Sequence, residues 1–173
     1  MTLSKTTLFS TLTAVAISIL SIHSASADSI VRAEKLSSSA NRSYKVAGKR
    51  YTPMTKVSNF SQTGNASWYG SQFHGRKTSS GERYNMNALT AAHKTLPIPS
   101  YARVTNTKNG KSVIVRVNDR GPFHGNRVID VSKAAAQQLG FINQGTAHVK
   151  VEQIVPGQST QVYDGKDIFV DLK

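Results

Sequence analysis

The run Val113-Ile114-Val115-Arg116-Val117 alternates and is rich in β-branched residues, then stops at Asn118-Asp119-Arg120-Gly121-Pro122. A period of two is the mark of a strand with at least one buried face; a helix would space its apolar residues three and four apart. The five residues that follow are the strongest turn punctuation in the chain. A stiff strand that hands Asp119 to a loop fixes a carboxylate at the rim of whatever the strand builds.

The same reading finds five more short strands: Ala66 to Gly70, Ala88 to His93, Tyr101 to Asn106, Arg127 to Val131 and Ala147 to Ile154. Asn109-Gly110 is a hairpin turn signal between Tyr101–Asn106 and Lys111–Val117. Ser132 is placed to cap a helix over Lys133 to Leu139, and Gly140 to stop it. Six strands and one short helix within residues 63–155 predict an all-β domain, a small barrel whose closure removes exposed edges. About 90 residues is short for such a domain but enough to fold alone.

The flanks read differently. Lys5, an uncharged apolar run from Thr6 to Ile22 and Ala25-Ser26-Ala27 are the parts of a cleavable secretory signal over residues 1–27. Residues 28–62 are rich in Ser, Lys, Arg and Asn without a sustained period, and are expected to be a flexible, disordered basic arm. Within it, Tyr44 to Met54 could form an extended stretch packed on the domain edge. Residues 156–173 read as a tail, with a last strand at Ile168-Phe169-Val170.

There is no cysteine, so disulfides, thiolate metal sites, Cys nucleophiles and a lipid-bearing Cys after the signal are all excluded. The formal charge of +13 becomes +12 once Lys5 leaves with the signal. That balance favours a polyanionic partner, or serves solubility alone. Export argues against nucleic acid and points to an anionic envelope surface.

Glu82, His93 and Asp119 are the ionisable side chains where strands meet loops. Each has a bland reading beside a chemical one. Asn118-Asp119 could start a turn by bonding its own backbone; Glu82 could be a solvated loop residue; His93 could be a satisfied structural histidine. Asp130, just ahead of the helix, suits the helix dipole better than catalysis. Trp68, Tyr69, Phe73, Tyr84 and Phe123 cluster near the loops and could stack on sugar faces, although Trp68 fits a core equally well. No two histidines have a metal-ligand spacing, and Gly-x-Ser-x-Gly and Gly-rich nucleotide motifs are absent, so neither metal nor cofactor is expected.

Gly64-Asn65-Ala66-Ser67-Trp68-Tyr69-Gly70, Phe73-His74-Gly75-Arg76-Lys77-Thr78, Ser80-Gly81-Glu82, Leu89 to Pro97 and Val117 to Phe123 closely resemble the rare lipoprotein A family. The match continues through Arg127 to Ser132 and Ala134-Ala135, and Tyr44-Lys45-Val46-x-Gly48-x-x-Tyr51-x-Pro53 is similar to the family's leading segment. The resemblance implies a double-psi β-barrel, the fold of expansins and barwin. It implies an envelope enzyme acting on peptidoglycan glycan strands as a lytic transglycosylase, and a monomer is expected. Such an enzyme cuts from N-acetylmuramic acid to N-acetylglucosamine without water, leaves a 1,6-anhydro end, and prefers glycan stripped of stem peptides. It places the family's functional groups at Glu82, His93 and Asp119. Its blocks also contribute His74, Thr78 and Arg120, which with the five aromatics make the expected substrate-binding set. The chain lacks the family's lipobox Cys, so it is not expected to be a lipoprotein, and septal targeting through a C-terminal glycan-binding repeat is not expected either.

On this reading Asp119 protonates the glycosidic oxygen and then takes the proton of the C6 hydroxyl. At an ordinary carboxylate pKa only about one molecule in a thousand holds that proton at pH 7, so burial or a charged Glu82 nearby is expected to help. Glu82 is expected to tune Asp119 or position a hydroxyl, and His93 to bond the carboxylate or sugar. The rivals are an expansin-like glycan binder that cuts nothing and an envelope protein held by charge alone; a shared barrel does not choose among them.

Overall fold

The structure is a computed structural model and describes residues 31–56 and 59–156. The expected signal at 1–27 and the strand at 168–170 lie outside the described residues. Ten elements follow in order: β1 (Tyr44–Val46), β2 (Lys49–Tyr51), β3 (Ser61–Trp68), a 3₁₀ turn (Ser71–Phe73), β4 (Thr90–His93), β5 (Ser100–Asn106), β6 (Ser112–Asp119), β7 (Arg127–Val131), α1 (Lys133–Gln138) and β8 (Thr146–Ile154).

β3 to β8 close into a barrel in the order β3-β7-β4-β6-β5-β8. Two neighbouring pairs are parallel, β3 with β7 and β4 with β6, and the rest are antiparallel. This is the small closed barrel that the strand pattern predicts, in the six-stranded double-psi form that the resemblance implies. The alternation in β6 works as read: Val113, Val115 and Val117 are all buried in the core. Small residues let the strands close tightly, with Ala66, Ala91 and Ala102 fully buried beside Val104, Ile129, Val131, Val149 and Val151. α1 seals one end through Ala135, Ala136 and Leu139, with Phe141 beyond it. The Ser132 hydroxyl accepts from the Ala135 amide, and Gly140 ends the helix at φ 72°.

β3 begins five residues before the expected strand, because Ser61–Asn65 pair with β8 although they carry no apolar alternation. Backbone pairing needs no side-chain pattern, so composition hid it.

The flexible arm is a correction. Residues 31–56 are docked on the barrel. Val31 is fully buried among Tyr101, Ile114 and Ile154. Ser37 donates its amide to the Ile98 carbonyl, and Asn41 both donates to that carbonyl and accepts the Ile98 amide. β1 and β2 form a hairpin whose two-residue turn has positive φ at Ala47 and Gly48, as the twist of paired strands requires. Tyr44 stacks on Tyr51 at 5.3 Å, both rings meet Phe123, and the Tyr44 hydroxyl donates to the Lys94 carbonyl. The anchors are side chains on backbone carbonyls and rings on rings, which leave no periodic trace. The extended stretch foreseen at Tyr44 to Met54 is this hairpin.

Candidate active site

β6 and β4 bring the site together. Val117 lies opposite Ala91, but Asp119 lies opposite Ala92, so Asn118 is an extra residue in the ladder. Such a bulge re-aims the side chains around it. Beyond it Gly121 takes φ 140°, a conformation that glycine tolerates and a side chain resists.

The loop Thr78–Glu82 folds onto this end of β6. The Thr78 amide donates to the Glu82 carbonyl at 2.7 Å, Gly81 donates to Thr78, and the Ser80 amide donates to the Asn118 carbonyl. The loop thereby presents two side chains. Ser79 gives both its amide (2.8 Å) and its hydroxyl (2.6 Å) to Oδ1 of Asp119. The Arg120 amide adds a third bond to the same oxygen at 2.8 Å. Oδ2 has no partner among the described residues. Asp119 is thus both a turn residue, as its bland reading foresaw, and a carboxyl with one oxygen pinned and the other bare.

Glu82 is arranged in the same way. Its Oε2 accepts from Arg116 Nη1 at 2.8 Å and from Asn118 Nδ2 at 2.9 Å. Its Oε1 has no partner among the described residues, and its side chain is 43% exposed. Arg116 and Asn118 thus hold Glu82 in place, and no hydrogen bond joins it to Asp119 among the described residues.

His93 does not reach Asp119. Its ring is 2% exposed, and Nδ1 accepts the amides of Thr95 (3.1 Å) and Leu96 (2.9 Å). Nε2 must then carry the hydrogen, and it donates to Gln62 Oε1 at 3.1 Å. Burial, with the positive charges of Arg120 and Lys94, pushes the imidazole down to about 3. His93 is a neutral brace for the 94–96 turn, and its ring bonds no carboxylate among the described residues.

That brace has a measurable sign. The folded pKa lies below the unfolded 6.5, so the unfolded chain takes up a proton that the native ring refuses. The contribution is complete above pH 6.5 and is lost as pH falls toward about 3. Between pH 6.5 and 5 about 2 kcal/mol should go. Thermal midpoints across that window should fall for the native sequence, and His93→Gln, which does not titrate, should remove that part of the slope.

Arg120 was expected to touch substrate; its guanidinium is fully committed. Nε donates to the Ala40 carbonyl, Nη1 to the carbonyls of His93 and Leu96, and Nη2 to the Ala40 carbonyl and Asn41 Oδ1. Those are all five N–H groups of the fork. Thr78 is likewise internal, bonding Ser80 and the Glu82 carbonyl, and Tyr84 is buried. Trp68 packs against the core. The other candidates are partly or fully exposed. Phe73 is 40% exposed with Arg76 over its ring at 5.6 Å, His74 is exposed, and Phe123 is half-buried. Tyr69 is half-buried and its hydroxyl is buried; burial first and then the charges of Asp119 and Asp130 hold that hydroxyl well above the usual phenol range.

Asp130 is not a helix-dipole group. It lies in β7, accepts from the Ser67 hydroxyl at 2.6 Å and pairs with Arg127 at 3.3 Å, and burial raises its carboxyl. Among the described residues no three His, Asp or Glu side chains gather as metal ligands would.

A groove of about 480 Å³ opens just beyond the end of β6, at Arg120. Ser79, Arg120 and Phe123 line it from the barrel, and Ser39, Arg42 and Tyr44 from the docked N-terminal segment. The sequence reading missed Ser79, Arg116, Asn118 and this second wall. Ser79-Ser80-Gly81 is a hydroxyl-rich turn of the kind that bonds backbone and carboxylates, and was the available clue to Ser79.

A family described as lytic transglycolase matches residues 61–151. A Neisseria meningitidis protein named endolytic peptidoglycan transglycosylase RlpA is 77% identical over 173 residues, covering all of this chain and 72% of its own length. Proteins of the same name from Vibrio cholerae and Pseudomonas aeruginosa are 53% and 61% identical, over 74% and 66% of this chain and 49% and 34% of their own.

Proposed function

Since the chain belongs to the lytic transglycolase family, we infer that it is an endolytic peptidoglycan transglycosylase, cutting between N-acetylmuramic acid and N-acetylglucosamine to leave 1,6-anhydro ends. The observation that carries the chemistry is Asp119 with Oδ1 held by three donors and Oδ2 left bare, beside a groove that its two neighbours Ser79 and Arg120 line. A carboxyl so fixed has one way to offer its proton.

The glycan lies along the groove with the glycosidic oxygen at Oδ2. Asp119 gives the proton to the departing N-acetylglucosamine oxygen as the C1–O bond breaks. The C6 hydroxyl of the muramyl residue closes on C1 from the same face, and the Asp119 carboxylate takes its proton. The acid is regenerated and no water is consumed. Glu82 is held through Oε2 by Arg116 and Asn118. Its bare Oε1 accepts a sugar hydroxyl and orients the ring. Phe73 stacks on a sugar face at the rim. His93 and Arg120 act as positioning residues: they hold the 93–96 turn and the 40–41 segment around Asp119.

We place the protein in the cell envelope, delivered by the leader expected at 1–27, where the exposed Arg42, Lys45 and Arg50 meet anionic wall polymers. The test is mass spectrometry of peptide-free glycan incubated with the pure protein. Anhydromuramyl ends are expected. Reducing ends would mean hydrolysis, and binding without new ends would mean an expansin-like binder; either overturns the reading.

A further inference from the structure

We propose that Glu34 is a positioning residue for this reaction, acting through Arg116 on Glu82, and that the docked segment 31–46 is a built part of the active site. The proposal rests on the reading of Glu82 as the group that orients the glycan.

Arg116 lies three residues before Asp119, and its fork is divided. Nε donates to Glu34 Oε1 and Nη2 to Glu34 Oε2, both at 2.8 Å, while Nη1 donates to Glu82 Oε2 at 2.8 Å. The paired bonds to Glu34 fix the plane of the guanidinium, and a fixed plane leaves Nη1 one direction to point. Side chains of Arg116 and Glu34 are only 20% and 18% exposed, whereas Glu82 is 43% exposed. The order of dependence follows. A half-exposed ion pair between one arginine and Glu82 would hold neither side chain still. The bidentate pair beneath it can.

Glu34 is itself held from two sides. The Tyr101 hydroxyl donates to Oε1 at 2.6 Å, and three residues upstream Val31 is buried against Tyr101, Ile114 and Ile154. The Arg116 bonds keep the Glu34 carboxyl below its usual range, so it stays charged through the neutral region.

The segment makes a second tie on the other side of the acid. Arg120, one residue after Asp119, is bonded to Ala40 and Asn41. Asp119 is therefore bracketed by two arginines, and both lean on one N-terminal segment. A strap that only added stability could be fastened anywhere on the barrel. This one is fastened at residues 116 and 120, and its next residues form a wall of the groove.

The test is a double-mutant cycle on the full chain with Glu34→Gln, Glu82→Gln and the pair, read as kcat and KM on peptide-free glycan. Glu34→Gln is isosteric and should fold. It should lower kcat about tenfold. If Glu34 works through Glu82, the pair should be no slower than Glu82→Gln alone. Hydrogen exchange supplies a readout apart from turnover: the amides of Thr78 and Gly81 should exchange faster in Glu34→Gln, with β5 and β8 unchanged. Losses in kcat that multiply in the pair, or a lowered thermal midpoint with kcat and loop exchange at native values, would overturn the inference. Wild-type protein that makes no anhydro ends would instead fail the reading of the reaction. Wild-type turnover with Glu34→Gln at full rate fails the inference alone.

Discussion

Asp119→Asn should release no measurable anhydromuramyl ends from peptide-free glycan while keeping the barrel. The amide oxygen can take the place of Oδ1 and accept from the Ser79 amide, the Ser79 hydroxyl and the Arg120 amide, so the turn survives. Those three donors also decide which way the amide faces. Its NH₂ takes the place of the bare Oδ2, where it has no proton to give to an oxygen and no lone pair to take one back. General acid–base action by one group contributes about 10² to 10⁴ in rate, and here the same carboxyl serves both proton transfers. The loss should therefore sit at the upper end of that range. Exchanging charged for neutral acceptors costs a modest amount of stability, so the thermal midpoint should drop by only a few degrees. Product counts from matched incubations, with a melting curve for each protein, decide it. Turnover within about tenfold of the native sequence would remove Asp119 from the chemistry.

The second large effect is on stability. Arg120→Ala removes five hydrogen bonds at once and leaves the carbonyls of Ala40, His93 and Leu96, and Asn41 Oδ1, without that donor. An acceptor stranded away from water costs about 1–3 kcal/mol, and some of the four will find water or relax. A net loss of about 3 kcal/mol follows, which for a domain of this size is roughly 10–20 °C in thermal midpoint. Arg120→Lys should recover little, because one ammonium cannot reach acceptors spread over two segments. Arg42→Ala is the control: that side chain is exposed and has no partner among the described residues, so its midpoint should not move. If Arg120→Ala melts with Arg42→Ala, the clamp has no weight.

The barrel was legible because its strands are short, β-branched and cleanly punctuated. The valines of β6, the Asn109-Gly110 turn and the Ser132 cap each declare themselves locally, and each is where expected. Asp119 was legible for the same reason, as the residue a strand gives to a loop. What failed was anything that depends on partners distant in sequence. Nothing near Arg120 announces that its fork will be spent on carbonyls 24 to 80 residues away. His93 was suspected as catalytic and is a brace, because its partners are backbone amides that every sequence offers equally. The N-terminal segment read as a flexible arm since it has no apolar period; it docks through Glu34, Asn41 and Tyr44, one polar or aromatic contact at a time.

The barrel's connectivity also sets the order in which a working site can appear. β3 finds its neighbours β7 and β8 about sixty to ninety positions further along the chain, so no early local nucleus can close the seam and the search for it is slow. A chain still lacking Thr146–Ile154 has already acquired Glu34, Glu82, Arg116, Asp119 and Arg120. It has every group the reaction uses, and as yet no walls to set them in.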